Sequence, residues 1–84
     1  MLYEIVRITD RVRLDKSDDY SKQRIGKIGH IHKTMKVGEP IFFEYYDNHT
    51  TMVSSSIVGL SQIDEMCIIT TENSVYYLKQ IAKV

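Results

Sequence analysis

Ser54-Ser55-Ser56 is the least expected run in this chain of 84 residues. Three hydroxyls interrupt a segment, Thr51 to Leu60, that otherwise reads as an apolar strand. A hydroxyl in a core adds little packing area, and it both donates and accepts hydrogen bonds. The run is therefore expected to face something polar, at a bulge beside a bound molecule. Asn73 and Ser74, at a tight turn, add an amide and another hydroxyl. Tyr45, Tyr46, Tyr76 and Tyr77 offer flat faces on which a base can stack. Arg24, Lys27 and Lys33 carry charge suited to phosphates. Rings, hydroxyls and cations together describe a site for a nucleotide-like ligand. The competing explanation for the tyrosines is packing, in the core or at an interface.

Other chemistries fit less well. His30 and His32 lie two apart on a strand, so both point to one face. Zinc wants a third and usually a fourth ligand, and nothing in the spacing brings His49 or Cys67 close. No metal site and no cofactor are expected. Cys67 stands between Met66 and Ile68, with acidic residues nearby, which is the wrong setting for a reactive thiolate. The expected role is that of a small buried hydrophobe. Ser54 to Ser56 lack the glycine-flanked sharp turn of a hydrolase nucleophile. No glycine-rich phosphate loop or paired-carboxylate motif is present. Binding without catalysis is the expectation.

The elements that must position these residues are strands. Leu2 to Thr9 alternates, with Tyr3, Ile5 and Arg7 on one face and Leu2, Glu4, Val6 and Ile8 on the other. Asp10 to Gln23 is polar and reads as a long mobile loop, with Val12 and Leu14 able to extend the strand. Ile25 to Thr34 is a second strand, and its Gly26 and Gly29 mark a bulge, a sharp bend, or the close approach of another backbone or a ligand. Val37-Gly38-Glu39-Pro40 is a turn, Ile41 to Tyr46 an aromatic third strand, and Asp47-Asn48-His49 a further turn. Thr51 to Leu60 is the fourth strand, and Ser61 to Glu65 a connection. The hairpin Met66 to Leu78 should sit centrally, covered on both faces. Its expected loop is Thr71-Glu72-Asn73, with Asn73 left-handed. Ile81 and Val84 close the chain and are expected to pack across a barrel seam. No helix is expected. The pattern predicts one domain over residues 1–84: an all-β, small SH3-like barrel of five or six antiparallel strands.

Composition bounds the rest. A chain this short buries only roughly 60% of its unfolded surface, which favours a homo-oligomer. One cysteine builds no disulfide framework within a chain and fits a reducing compartment. No stretch is long enough to span a bilayer, and the first residues have no signal-peptide layout, so a cytoplasmic protein is expected. Formal net charge is zero. The charges are segregated, however: Lys22, Arg24, Lys27, Lys33 and Lys36 precede Glu39, Glu44, Asp47, Asp64, Glu65 and Glu72. This basic run either contacts phosphate or neutralises the acidic strands across the sheet. Neutral overall charge argues against nucleic acid as the partner.

The pattern Gly38…Phe43-x-Tyr45, then Ser55-Ser56-Ile57, then Thr71-x-Asn73-Ser74-x-Tyr76-x-Leu78 resembles short β-rich proteins of phages and mobile elements. The resemblance covers the C-terminal half. Among such proteins are anti-defence sponges, which hold a cyclic or ADP-ribose-derived immune signal without cleaving it, usually as oligomers. It implies Ser55, Ser56, Asn73, Ser74 and Tyr76 as ligand contacts, in the cytosol of a bacterial host. With the residues reasoned above, the expected ligand-binding set is Arg24, Lys27, Tyr45, Ser54, Ser55, Ser56, Asn73, Ser74 and Tyr76. The alternative is an SH3-like protein-interaction module, inhibiting a host or defence protein through the acidic, aromatic stretch Glu39 to Asp47.

Overall fold

The computed structural model describes residues 2–82. Six strands and one short helix follow in order: β1 (Leu2–Thr9), α1 (Asp19–Arg24), β2 (Ile28–Ile31), β3 (Pro40–Tyr45), β4 (Thr51–Ile63), β5 (Met66–Thr71) and β6 (Val75–Ala82). Each strand pairs antiparallel with the next, and β6 returns to β1, closing an SH3-like barrel. Closure removes the unpaired edges that would otherwise recruit other chains. Val84 lies outside the described residues, while Ile81 is on the exposed side of the β1–β6 seam.

The interior is filled from almost every strand. Ile5 and Ile8 come from β1, Ile41 and Phe43 from β3, Met52 and Ile57 from β4, Cys67 and Ile69 from β5, and Tyr76 and Leu78 from β6. The central hairpin is therefore covered on its inner face only, since Ile68 and Tyr77 point outward and remain half-exposed. A barrel has one interior, so a strand buried on both faces has no place in it.

Register shifts interrupt strict alternation at several points, and two of them bury residues that plain alternation would expose. In β1, Ile5 pairs with Leu78 and Arg7 with Tyr77, leaving Val6 as an extra residue. The extra residue resets parity, so Ile5 and Ile8 both face inward. In β4, Val53 pairs with Phe42 and Ser56 with Pro40, so Ser54 and Ser55 together oppose Ile41. The serine run is thus a bulge, as its composition suggests.

The polar stretch after β1 is more ordered than its composition predicts. Asp10 Oδ1 accepts from the amides of Val12 and Leu14, and Lys16 N donates to Ile8 O. The α1 helix then occupies residues expected to be loop. Asp18 caps it, with Oδ1 accepting from Ser21 N and Oδ2 from Ser21 Oγ. These bonds hold the Asp18 carboxyl below its ordinary value. Asp18-x-x-Ser21 is a helix-start pattern. Gly26 follows the helix with φ +88° and donates to Ile5 O at 2.7 Å, docking the helix end on β1.

Gly29 permits the tightest backbone approach in the barrel. A Cβ there would fall on the carbonyl oxygen of Glu44 and stand 2.8 Å from Phe43 Cε1. Because the main obstacle is backbone, it cannot swing away. Gly29→Ala is expected to destabilise the barrel by about 2–3 kcal/mol, read from urea unfolding. A loss within experimental scatter would remove this account of β2–β3 packing.

Candidate functional site

The short helix and two strand features build a groove on the barrel wall. One lobe, about 560 Å³, is lined by Tyr20, Gln23, Arg24 and Lys27 on one side and by Tyr45 and Thr51 to Val53 on the other. A second lobe, about 290 Å³, shares Tyr20, Arg24 and Val53 with the first. It runs past Lys16, Asp18 and Ser21 to Ser54 and Ser55 of the bulge, and to Asn73, Ser74 and Tyr76 of the last hairpin. Volumes of this size match small-molecule sites, which run to roughly 300–1,000 Å³.

The bulge is built by its own hydroxyls. Ser54 Oγ accepts from Ile41 N at 2.9 Å and donates to Ser55 O at 2.7 Å. Ile41 N–H is thereby satisfied where two residues oppose one. Ser54 is buried, and neighbouring main chain accounts for its hydroxyl. Ser55 Oγ accepts from Asn73 N at 3.3 Å, and Ser56 O from Glu72 N at 3.0 Å. These contacts fasten the β5–β6 turn to the bulge. Ser56 does not line the groove. It is one step past the bulge, opposite Pro40.

The turn itself differs from the expected three-residue loop. Thr71 belongs to β5, and Asn73 is not among the residues with positive φ. Instead, Thr71 Oγ1 accepts from Ser74 N at 3.1 Å and donates to Ser74 O at 3.0 Å. A buried threonine closes the chain reversal, so no left-handed residue is needed. The arrangement leaves the Ser74 hydroxyl to accept from Lys16 Nζ at 2.9 Å.

Charge in the groove is predominantly positive, with Asp18 the one acid among its lining residues. Arg24 Nη1 donates to Tyr76 Oη at 2.6 Å, and its guanidinium carbon lies 5.9 Å from the Tyr20 ring centroid. Lys27 Nζ lies 5.9 Å from the Tyr45 centroid. Among the described residues, none of Lys16, Arg24 and Lys27 is within ion-pair distance of a carboxylate. Asp18 is the acid at this wall, and both its oxygens are engaged by Ser21. Burial raises the Tyr76 and Tyr45 phenols, opposed in each case by the nearby Arg24 cation.

The basic run is divided by the fold. Arg24 and Lys27 face the groove, whereas Lys33 approaches Glu39 at 3.8 Å and lies over Phe42. His30 and His32 point to Glu44. Of the expected set, Arg24, Lys27, Tyr45, Ser54, Ser55, Asn73, Ser74 and Tyr76 share the groove, and Ser56 stays outside it. Tyr46 and Tyr77 are elsewhere: Tyr46 is exposed beside Asp47, and Tyr77 lies under Arg7.

Tyr20, Lys16 and Ser21 line the groove but belong to the stretch expected to be loop. The helix-start pattern Asp18-x-x-Ser21 is the feature that would have placed them. Cys67 is buried well away, with its thiol pushed up by burial, as suits an inert core residue. No helix among the described residues is long and apolar enough to cross a membrane.

Comparisons with protein-family models, with curated proteins and with solved structures find no match.

Two outcomes check this geometry. Ser54→Ala strands the Ile41 amide and is expected to cost about 1–3 kcal/mol in urea unfolding, with Ser55→Ala costing less. Equal losses would remove the bulge-closing role. Tyr76 is a phenol held above its ordinary 10.0 when folded. Such a group contributes stability that is complete below the unfolded value and lost as pH rises through the folded one. Alkaline unfolding followed above that ordinary value should therefore flatten in Tyr76→Phe. An unchanged slope would assign the loss to other groups.

Proposed function

We propose that this barrel is a phage-type anti-defence protein that binds and sequesters a nucleotide-derived immune signal, a cyclic nucleotide or an ADP-ribose derivative, without cleaving it. The observation that carries this reading is the charge of the groove. Lys16, Arg24 and Lys27 line its two lobes beyond ion-pair distance of any carboxylate among the described residues, against the single acid Asp18, next to the exposed ring of Tyr20. A phosphate supplies the missing negative charge, and guanidinium is the side-chain group best shaped to hold it. Tyr20 and Tyr45 offer π-faces for a base. Ser55, Ser74 and Asn73 offer hydroxyls and an amide for ribose and base edges.

Sequestration asks only for affinity and slow release. The hydroxyls of the groove are tied up in structural bonds: Ser21 Oγ donates to the helix-capping Asp18, and Ser74 Oγ accepts from Lys16 Nζ. A homo-oligomer in the cytosol of a bacterial host is part of the proposal. The second reading, a protein-gripping surface over Glu39 to Asp47, has less support, because Lys33 already approaches Glu39 and histidines surround Glu44.

The test is direct. The purified protein is incubated with a panel of cyclic nucleotides and ADP-ribose derivatives, washed, and heated to release whatever is held. One member should raise the melting temperature, since ligand at a hundredfold over its Kd adds about 2.7 kcal/mol, and it should be recovered intact. Arg24→Ala and Tyr20→Ala should lose the shift. No shift and no recovered ligand across the panel would end the reading. Recovery of a cleaved ligand would replace sequestration with catalysis.

A further inference from the structure

We infer that His30, His32 and Glu44 form a binding site for a divalent transition metal of the zinc class on the β2–β3 face, separate from the groove, with His49 beside the other oxygen of Glu44. All three histidines of the chain converge on one carboxylate. They arrive from two backbone segments, and Glu44 from a third. His30 is the direct register partner of Glu44 across the β2–β3 ladder. His32 follows β2, its amide bonded to Phe42 O at 2.7 Å. His49 comes from the β3–β4 turn, in a left-handed conformation with φ 60° and its amide on Tyr45 O. Spacing along the chain brings only His30 and His32 together. Strand pairing adds Glu44, and the turn adds His49.

The distances favour a shared ion over a hydrogen-bonded cluster. His30 Nε2 is 2.8 Å from Glu44 Oε1, a good hydrogen bond. His32 Nδ1 is 3.9 Å from the same oxygen, and His49 Nδ1 is 3.6 Å from Oε2. The last two are too long for hydrogen bonds. Ligands about 2.0–2.1 Å from a tetrahedral zinc stand roughly 3.3 Å from one another, so the observed separations bracket that value. The donor atoms of His30, His32 and Glu44 all lie within 4.8 Å of one another, and small side-chain rotations close that gap. Imidazole nitrogens with one carboxylate suit zinc and its neighbours, whereas magnesium and calcium prefer all-oxygen shells. Neutralising a carboxylate requires one cationic partner, so three imidazoles exceed what cross-strand pairing asks.

A metal here would clip β2, the shortest strand with four residues, to β3 and to the turn that follows it. Its effect is therefore expected on stability as well as on binding.

The experiment is a zinc titration of the full chain against a chromophoric chelator, with cobalt(II) absorption as a probe of coordination and thermal unfolding as a second readout. One equivalent of zinc should bind and raise the melting temperature. Cobalt should give the strong visible bands of a four-coordinate nitrogen and oxygen site. Magnesium should neither compete nor stabilise. His32→Ala and Glu44→Gln should each weaken zinc binding by at least about tenfold and abolish the melting shift. These groups are partly exposed, so the variants are expected to fold, and circular dichroism checks that they do. Cys67→Ser should leave zinc affinity unchanged. Absence of stoichiometric binding, affinity indifferent to His32 and Glu44, or a sulfur-to-cobalt charge-transfer band would each overturn the assignment. Nucleotide binding in the groove is measured separately, so either result stands without the other.

Discussion

The hydrogen bond from Ile41 N to the Ser54 hydroxyl fixes the irregularity on which the interior of β4 and the seat of the last hairpin depend. It closes the β4 bulge, where two residues oppose one and a backbone donor would otherwise be buried without a partner. The parity change at that bulge lets Met52 and Ser54 face inward before it and Ile57 after it. The same bulge turns Ser55 toward Asn73 and the Ser56 carbonyl toward Glu72, which seats the last hairpin. One local irregularity therefore sets the interior of β4, the position of the β5–β6 turn, and the end wall of the groove. It also shows that a polar run inside a strand serves architecture first. Ser54 is satisfied by main chain, and the capacity to meet a ligand belongs to the neighbours it positions.

Electrostatics divides the molecule in a similar way. The basic run meets an acid where the connection after β2 lies against β3, through Lys33 with Glu39. It is left without carboxylate partners where the chain comes off α1, at Arg24 and Lys27. The run is thus divided, with Lys33 beside an acid and Arg24 and Lys27 lining the groove. Burial supports this division. The Tyr76 phenol lies nearly out of solvent and takes its hydrogen bond from Arg24, so the guanidinium is held in place at the groove floor.

Much of the fold was legible because strand-forming residues repeat on a two-residue period between turn residues. Leu2 to Thr9 was read to the residue, and the third and last strands to within a few. The closed all-β architecture followed from the spacing. Parity was not legible, because Val6 and Ser55 look like ordinary strand residues until a partner strand leaves them as extras. The α1 helix was missed because six polar residues carry no apolar period, although Asp18-x-x-Ser21 marked its start. With the helix went Tyr20 and Ser21, which line the groove. Asn73 was assigned the left-handed position by residue type, but a buried Thr71 hydroxyl holds the turn without one.

From the residues alone come the β-class, the spans of the first, third and last strands, and most of the set of hydroxyls, rings and cations that line the groove, whereas the second strand is far shorter than residues 25–34 and the fourth runs on to Ile63. These follow from local chemistry: side-chain shape, turn preference and hydrogen-bonding capacity are properties of single residues and near neighbours. Only the closed barrel decided which members of that set meet, that Ser56 stays outside, and that His49 joins His30 and His32 at Glu44. Those juxtapositions join positions far apart in the chain. They depend on register and bulges, where one inserted residue reverses every face beyond it.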